Sequence, residues 1–292
     1  MSLRASVYVA PAISFVKADG SRGGPTGSWS PISCTLIHGE KEAVLVDTPI
    51  TNAQNEDLIK WIEETIPSKK LTTLYITHGH ADHGLGTGLL RQRYPGLKIL
   101  ATKGTIQHMK DQAEPKAFKS AWGDRFPGEI DTSFVLADAL PDNGEFQLEG
   151  HLLKAIEVGH SDTHDSTVLW VPSIKLAVCG DVVYGDVHQM LAFAKTKALQ
   201  EEWLRAIEAV EALKPEIVVA GHKKPGELDG SYHLGLTKQY IRDYGELIER
   251  GQAKDGRQLG KLMLQKYPSR LNPGALYAGC ATAFGKSSNL RL

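Results

Sequence analysis

The chain has 292 residues, with 33 Lys+Arg against 34 Asp+Glu, a formal net charge of -1, 41% hydrophobic and 23% charged residues, and 11 His beside 3 Cys. The apolar share excludes a disordered chain, three cysteines exclude a disulfide framework, and balanced charge leaves no general field to gather nucleic acid or an anionic membrane. The length suits one domain over residues 1–292, with a core of about residues 5–230 and a helical extension of about 231–292.

The first residues, Met1 to Val9, carry one Arg and no apolar stretch of the kind a secretory signal needs. No window approaches the roughly 18 uninterrupted apolar residues of a membrane span. A soluble, cytoplasmic protein is the expectation. Residues 7–17 and 32–38 are apolar and β-rich, and between them 18–30 reads ADGSRGGPTGSWS, a mobile loop and a candidate flap over a ligand. Residues 34–38 and 43–47 flank a Gly39-Glu40-Lys41-Glu42 turn, the pattern of a hairpin. Leu58, Ile59, Ile62 and Ile66 recur at helical spacing, so 52–66 is a helix capped by Thr51 or Asn52 and stopped by Pro67.

Residues 71–77 form a short buried strand, followed by helices at 86–94 and 104–110 around a strand at 99–101. From 145 to 184 the chain is mainly β, with strands at 145–148, 152–157, 167–170 and 176–179. Leu199, Trp203, Ile207, Val210 and Leu213 define an amphipathic helix, 217–220 is a last strand, and the chain beyond about 230 is helical. Two β-rich halves, each with its own helices, predict a layered α/β sandwich.

The chemistry concentrates in Thr77-His78-Gly79-His80-Ala81-Asp82-His83, directly after the buried strand. His78 and His80 project to one side of an extended backbone, and Asp82 and His83 follow from the turn. Three imidazoles and a carboxylate this close would cost much to desolvate without an ion to compensate them. Further candidates each follow an apolar strand and a small residue: His160 in Gly159-His160, Asp181 in Gly180-Asp181, and His222 in Gly221-His222. Seven ligand-type residues suffice for two metal ions.

This order of motifs resembles the metallo-β-lactamase-fold hydrolases, and Val46-Asp47-Thr48 is similar to the family's early Asp element. The resemblance covers roughly residues 30 to 225 and implies a four-layer αβ/βα sandwich with a dinuclear site at one edge. It implies that His78, His80 and His160 bind one ion, that Asp82, His83 and His222 bind the other, that Asp181 bridges them, and that Asp47 orients ligands from beneath. Two departures stand out. The family's Pro-Gly-His-Thr-Pro-Gly reads Val158-Gly159-His160-Ser161-Asp162-Thr163 here, and an Asp stands at 181, where some antibiotic-hydrolysing members use Cys. The bridging Asp is similar to glyoxalase II and the lactonases.

A pair of divalent ions, zinc first and iron or manganese as alternatives, makes hydroxide available near neutral pH and polarises a carbonyl. The expected reaction is therefore hydrolysis of a small uncharged carbonyl substrate, a lactone or lactam. Thioester hydrolysis, phosphodiester cleavage and a non-hydrolytic diiron or metal-binding role are the alternatives in that order. By resemblance, Tyr184 donates to the developing oxyanion, Asp82 protonates the leaving group, and His164 supports a ligand. His38, His108, His151, His188 and His233 are read as surface residues. The expected partner is a small molecule, with no nucleic acid and no membrane, and the chain is a monomer or homodimer.

Overall fold

The computed structural model describes residues 2–24 and 26–285. Its frame is two twisted sheets. The first runs in the order Arg4–Ala10, Ile32–His38, Glu42–Val46, Lys70–Tyr75, Lys98–Ala101, Asp138–Ala139. The second runs Ile217–Val219, Leu176–Val178, Ser166–Val171, His151–Gly159, Glu145–Leu148. In the first sheet the hairpin pairings are antiparallel, and the three later ones, each made after a crossover, are parallel.

Side-chain alternation divides each strand between two cores. Val44, Val46, Leu169, Val171, Leu176 and Val178 meet between the sheets. Ala43 and Leu45 face outward, onto Leu58 and Ile62 of the helix Asn52–Thr65 and onto Leu90 and Met109 of its neighbours. Val168, Ala177 and Val218 face the other way, onto Trp203, Ile207 and Val210 of the helix Lys197–Ala212. Three apolar seams between helix, sheet, sheet and helix make the αβ/βα sandwich.

The predicted elements fall close to these. The helix Asn52–Thr65 begins with a capping box in which the Thr51 hydroxyl accepts from the Gln54 amide. The helix expected at 104–110 is longer, Lys103–Ala113, because Thr102 caps it a residue earlier. Beyond 230 three helices follow, Tyr232–Glu249, Gly256–Lys266 and Pro273–Ala283, and their apolar faces join the Trp203 core. The tail from 286 to 292 lies outside the described residues. No described helix is long and apolar enough to cross a membrane.

One expectation fails in part. The Gly-rich stretch 18–30 contains a strand, Ser28–Trp29, paired with Ile13–Ser14. Trp29 packs against Trp122 and Phe15, at 5.0 Å and 5.9 Å between ring centroids, so aromatic burial pins the end of what composition reads as a loop.

Candidate metal centre

Each functional side chain sits where a strand ends. The strand Lys70–Tyr75 delivers His78, His80, Asp82 and His83. Leu176–Val178 delivers Asp181, and Ile217–Val219 delivers His222. Backbone crowding sets the turns. A Cβ at Gly221 would lie 2.2 Å from Asp181 Oδ1 and 2.5 Å from the Gly180 carbonyl carbon. Gly180 itself adopts φ 48°, and a Cβ there would meet Thr77 Oγ1 at 2.4 Å.

Two groups of potential ligands result: His78, His80, Asp162 and Asp181, and Asp82, His83 and His222. Within each, the ligand atoms all lie within 4.8 Å of one another. Asp181 links the groups, since its Oδ1 is 3.2 Å from His83 Nε2 and its Oδ2 is 3.2 Å from His222 Nε2. His83 Nε2 and His222 Nε2 are 3.4 Å apart, and Asp82 Oδ2 is 3.5 Å from His222 Nε2.

The residues behind these atoms fix which nitrogen faces inward. Asp47 is buried at φ 60°, and its Oδ2 can only accept, so His83 Nδ1, 3.1 Å away, carries the hydrogen and leaves Nε2 for the site. Asp47 also accepts from the Thr77 amide at 2.9 Å and the Thr77 hydroxyl at 2.8 Å. With its own hydrogen committed there, Thr77 Oγ1 accepts from His78 Nδ1 at 3.0 Å. His222 Nδ1 donates to the Pro31 carbonyl at 2.9 Å. Asp47 thus stands where an orienting residue was expected.

The donor set fits divalent cations. His78 Nε2 is a buried atom with no hydrogen-bond partner, and Asp162 Oδ2 and Asp181 Oδ1, also buried, face only the imidazoles of His80 and His83 at 3.0 and 3.2 Å. Such atoms are costly unless something positive satisfies them. The field says the same. Burial opposes charge on His83 and His222, yet Asp181 and its neighbours outweigh it and hold both pKa values up, that of His222 at about 10. His80 is raised against its burial by Asp162, 3.0 Å away. Burial, then the neighbouring His83, holds His78 well below the usual histidine range. Four buried carboxylates, Asp47, Asp82, Asp162 and Asp181, draw positive charge onto the imidazoles around them.

Three residues sit differently from the sequence expectation. His160 falls in neither group, although its Nε2 is also a buried atom with no hydrogen-bond partner, and Asp162, 1% exposed, stands in the first group. The strand His151–Gly159 shifts register between Glu157 and Gly159, and Gly159 turns at φ 81°, so the turn closed by Ser161 and Ser166 carries Asp162 inward. His164 is solvent-facing, with 60% of its side chain exposed, and pairs with Asp165 at 2.7 Å, its ring 4.5 Å from that of His108. The Tyr184 hydroxyl donates to Asp181 Oδ2 at 2.6 Å, so it holds the linking carboxylate instead of standing free for a substrate oxygen.

Four histidines expected on the surface are buried. They are His38, His108, His188 and His233. His108 meets His80 edge to face at 5.3 Å, where the helix Lys103–Ala113 crosses the metal-ligand turn. Burial, then His80, pushes its pKa down to about 3.

Above the two groups lies a cavity of about 180 Å³. Phe15, Trp29 and Trp122 wall one side, and Met190, Ala275 and Ala278 are also among its lining residues. Trp29 Nε1 donates to Asp82 Oδ2 at 2.9 Å, tying the wall to the site. Stretch 18–30 therefore reaches the pocket, as expected of a flap. Trp122 and its neighbour Arg125 were not foreseen, because 113–137 carries no clear periodicity.

An αβ/βα sandwich with a histidine–aspartate pair of sites at one sheet edge defines a class of metal-dependent hydrolases. The chain belongs to the metallo-beta-lactamase superfamily, whose family model matches residues 27–222. It is 25% identical over 218 residues to a metallo-beta-lactamase type 2 from Bacteroides fragilis, covering 74% of this chain and 77% of that one. It is 26% identical over 203 residues to the type 2 enzyme of Bacillus sp. (strain 170), covering 69% of this chain and 70% of that one. In fold it is similar to a metallo-beta-lactamase from Pontibacter korlensis, with a TM-score of 0.56 at 20% identity over 82% of this chain and 99% of that one. The mono-zinc form of FIM-1 from Pseudomonas aeruginosa gives a TM-score of 0.56 at 16% identity over 83% of this chain and 92% of that one.

Proposed function

We propose that this hydrolase opens a small cyclic carbonyl compound, a lactam or lactone, with two zinc ions held by the groups just described. The observation that carries the reading is the convergence of seven buried ligand-type residues, linked through Asp181, five of which (His80, Asp82, Asp162, Asp181 and His222) line an aromatic-walled cavity. The ions, when bound, would polarise the substrate carbonyl and bring the pKa of a shared water towards neutrality.

The chain's own groups do the rest. His78, His80, Asp162 and Asp181 would hold one ion, and Asp82, His83 and His222 the other. Asp47 and Thr77 keep the inward nitrogens unprotonated, and the Tyr184 hydroxyl fixes Asp181. Asp82, whose Oδ2 is held by Trp29, would accept on Oδ1 the proton released by the attacking water and pass it to the leaving nitrogen or oxygen. Trp29, Trp122 and Phe15 exclude water from the face opposite the ligands.

The type 2 lactamases among the relatives support the lactam choice, and the Asp at 181 supports the lactone choice. Turnover compared across lactones, lactams, thioesters and phosphodiesters decides between them. Full hydrolytic activity in Asp82→Ala or His83→Ala, or turnover of a phosphodiester alone, would refute the proposal.

A further inference from the structure

Arg125 follows the π-helical turn Lys119–Gly123, between two buried aromatics, Trp122 and Phe126. Its backbone is fixed: its amide donates to the Trp122 carbonyl at 3.1 Å, and its own carbonyl accepts from the Val16 amide at 2.9 Å. The side chain lines the cavity. Its guanidinium carbon sits 5.6 Å from the Trp29 ring centre and 5.8 Å from that of Phe15. Nη1 is buried and has no hydrogen-bond partner. No ion pair among the described residues includes Arg125.

The other deeply placed arginine shows what is missing. Arg270 also lies over aromatic rings, at 4.7 Å from Tyr240, but its Nη1 donates to the carbonyls of Gly185 and Val187 at 3.0 and 2.7 Å. Aromatic faces attract a cation but do not replace the acceptors a buried guanidinium gives up. Arg125 therefore lines the cavity with one buried donor, Nη1, that no group of the chain receives. A guanidinium presents a planar fork, and the ligand that matches it is a planar, singly charged carboxylate. A phosphate dianion fits less well, because Arg125 is the sole Arg or Lys among the described residues lining the cavity.

One indole measures the gap. Trp29 donates to Asp82 through Nε1 and carries the Arg125 guanidinium over its ring. We propose that Arg125 is the anion-binding end of the substrate pocket, and that the substrate bears a carboxylate roughly one indole-width from the carbonyl it presents to the histidine–aspartate groups. The proposal rests on the hydrolytic reading for the word substrate, but the carboxylate site itself does not. It replaces the uncharged substrate expected from a net charge of -1, since overall charge says nothing about one buried cation.

The test is binding, without turnover. Calorimetric titration with 3-phenylpropanoate and with its neutral amide is run on the purified protein, on Arg125→Met and on Arg125→Lys. The wild type should bind the carboxylate at least tenfold more tightly than the amide, the scale of a charged hydrogen-bonded pair. Arg125→Met should erase that preference while holding the amide within about twofold, and Arg125→Lys should keep part of it. No measurable carboxylate binding by the wild type, equal binding of the two probes, equal weakening of both in Arg125→Met, or an intact preference in that variant would each overturn the proposal. An intact Arg125-dependent preference in a protein that hydrolyses no carbonyl substrate would leave this site standing and remove the proposed reaction alone.

Discussion

Alanine at position 162 and alanine at position 160 should have opposite consequences for metal content. Asp162 is 1% exposed, its Oδ2 is 3.0 Å from His80 Nδ1, and it is one of four residues in its group. Removing it takes away a ligand and one of the four buried carboxylates that attract the cation. Losing a residue that merely orients a ligand costs about 10–100-fold in metal affinity, so losing the ligand should cost more than about 100-fold. His160 belongs to neither group, and its removal should change affinity by less than about threefold. Each variant is loaded with zinc, dialysed against a weak chelator and assayed by elemental analysis, with affinity from competition against a chromophoric chelator. Asp162→Ala should retain about one ion per chain, and His160→Ala about two. The reverse pattern would refute the placement of this turn and restore the ligand set that the Gly-His motif implies. Thermal melting of both variants guards against simple unfolding.

Asp47→Asn keeps a residue that tolerates φ 60° but offers an amide hydrogen where His83 and Thr77 need an acceptor, so metal affinity should fall about 10–100-fold by chelator competition; an unchanged affinity would refute the orienting role. Gly221→Ala should lower zinc retention and activity by at least about tenfold, because its methyl would meet Asp181 and the Gly180 backbone, and wild-type behaviour in both would be fatal to that reasoning. His188 is depressed to about 4 by burial, then by Arg270, so the unfolded chain takes up a proton near pH 6.5 that the folded chain refuses until about 4. Its contribution is therefore intact above about pH 6.5 and lost as pH falls towards 4. The thermal midpoint of His188→Gln should fall less steeply over that window, and parallel curves for the two proteins would count against it.

The part of the site that sits in one stretch of chain was legible. Residues 78–83 place four ligand-type side chains on one turn, and their spacing alone announces it. Asp47 was legible only through the resemblance, because Val46-Asp47-Thr48 is similar to the family's early Asp element. Asp162 was not, because its selection over His160 depends on a register shift at Glu157 and a left-handed Gly159, neither of which leaves a mark in hydrophobic periodicity. The departure from Pro-Gly-His-Thr-Pro-Gly was the available signal. His108 and His188 failed as surface residues because the elements that cover them, the metal-ligand turn and the helix Tyr232–Glu249, are distant in sequence. The sandwich, by contrast, was legible in the two β-rich halves with their own helices, and 43–46 and 168–171 are apolar at every position because they face two apolar seams.

The edge where the ligands gather is also a seam between the two halves of the chain. Tyr75 and Thr167, from opposite sheets, share a 2.6 Å hydrogen bond there, and Thr167 donates to the Thr77 carbonyl at 2.6 Å. His78, His80, Asp82 and His83 come from the first sheet, and Asp162, Asp181 and His222 from the second. Neither group can be filled from one sheet alone. An ion in either position would be a clasp fastened half to each sheet, so the bonds that shape the chemistry would be the same bonds that resist the sheets parting, and any change in ligand strength would be felt in both.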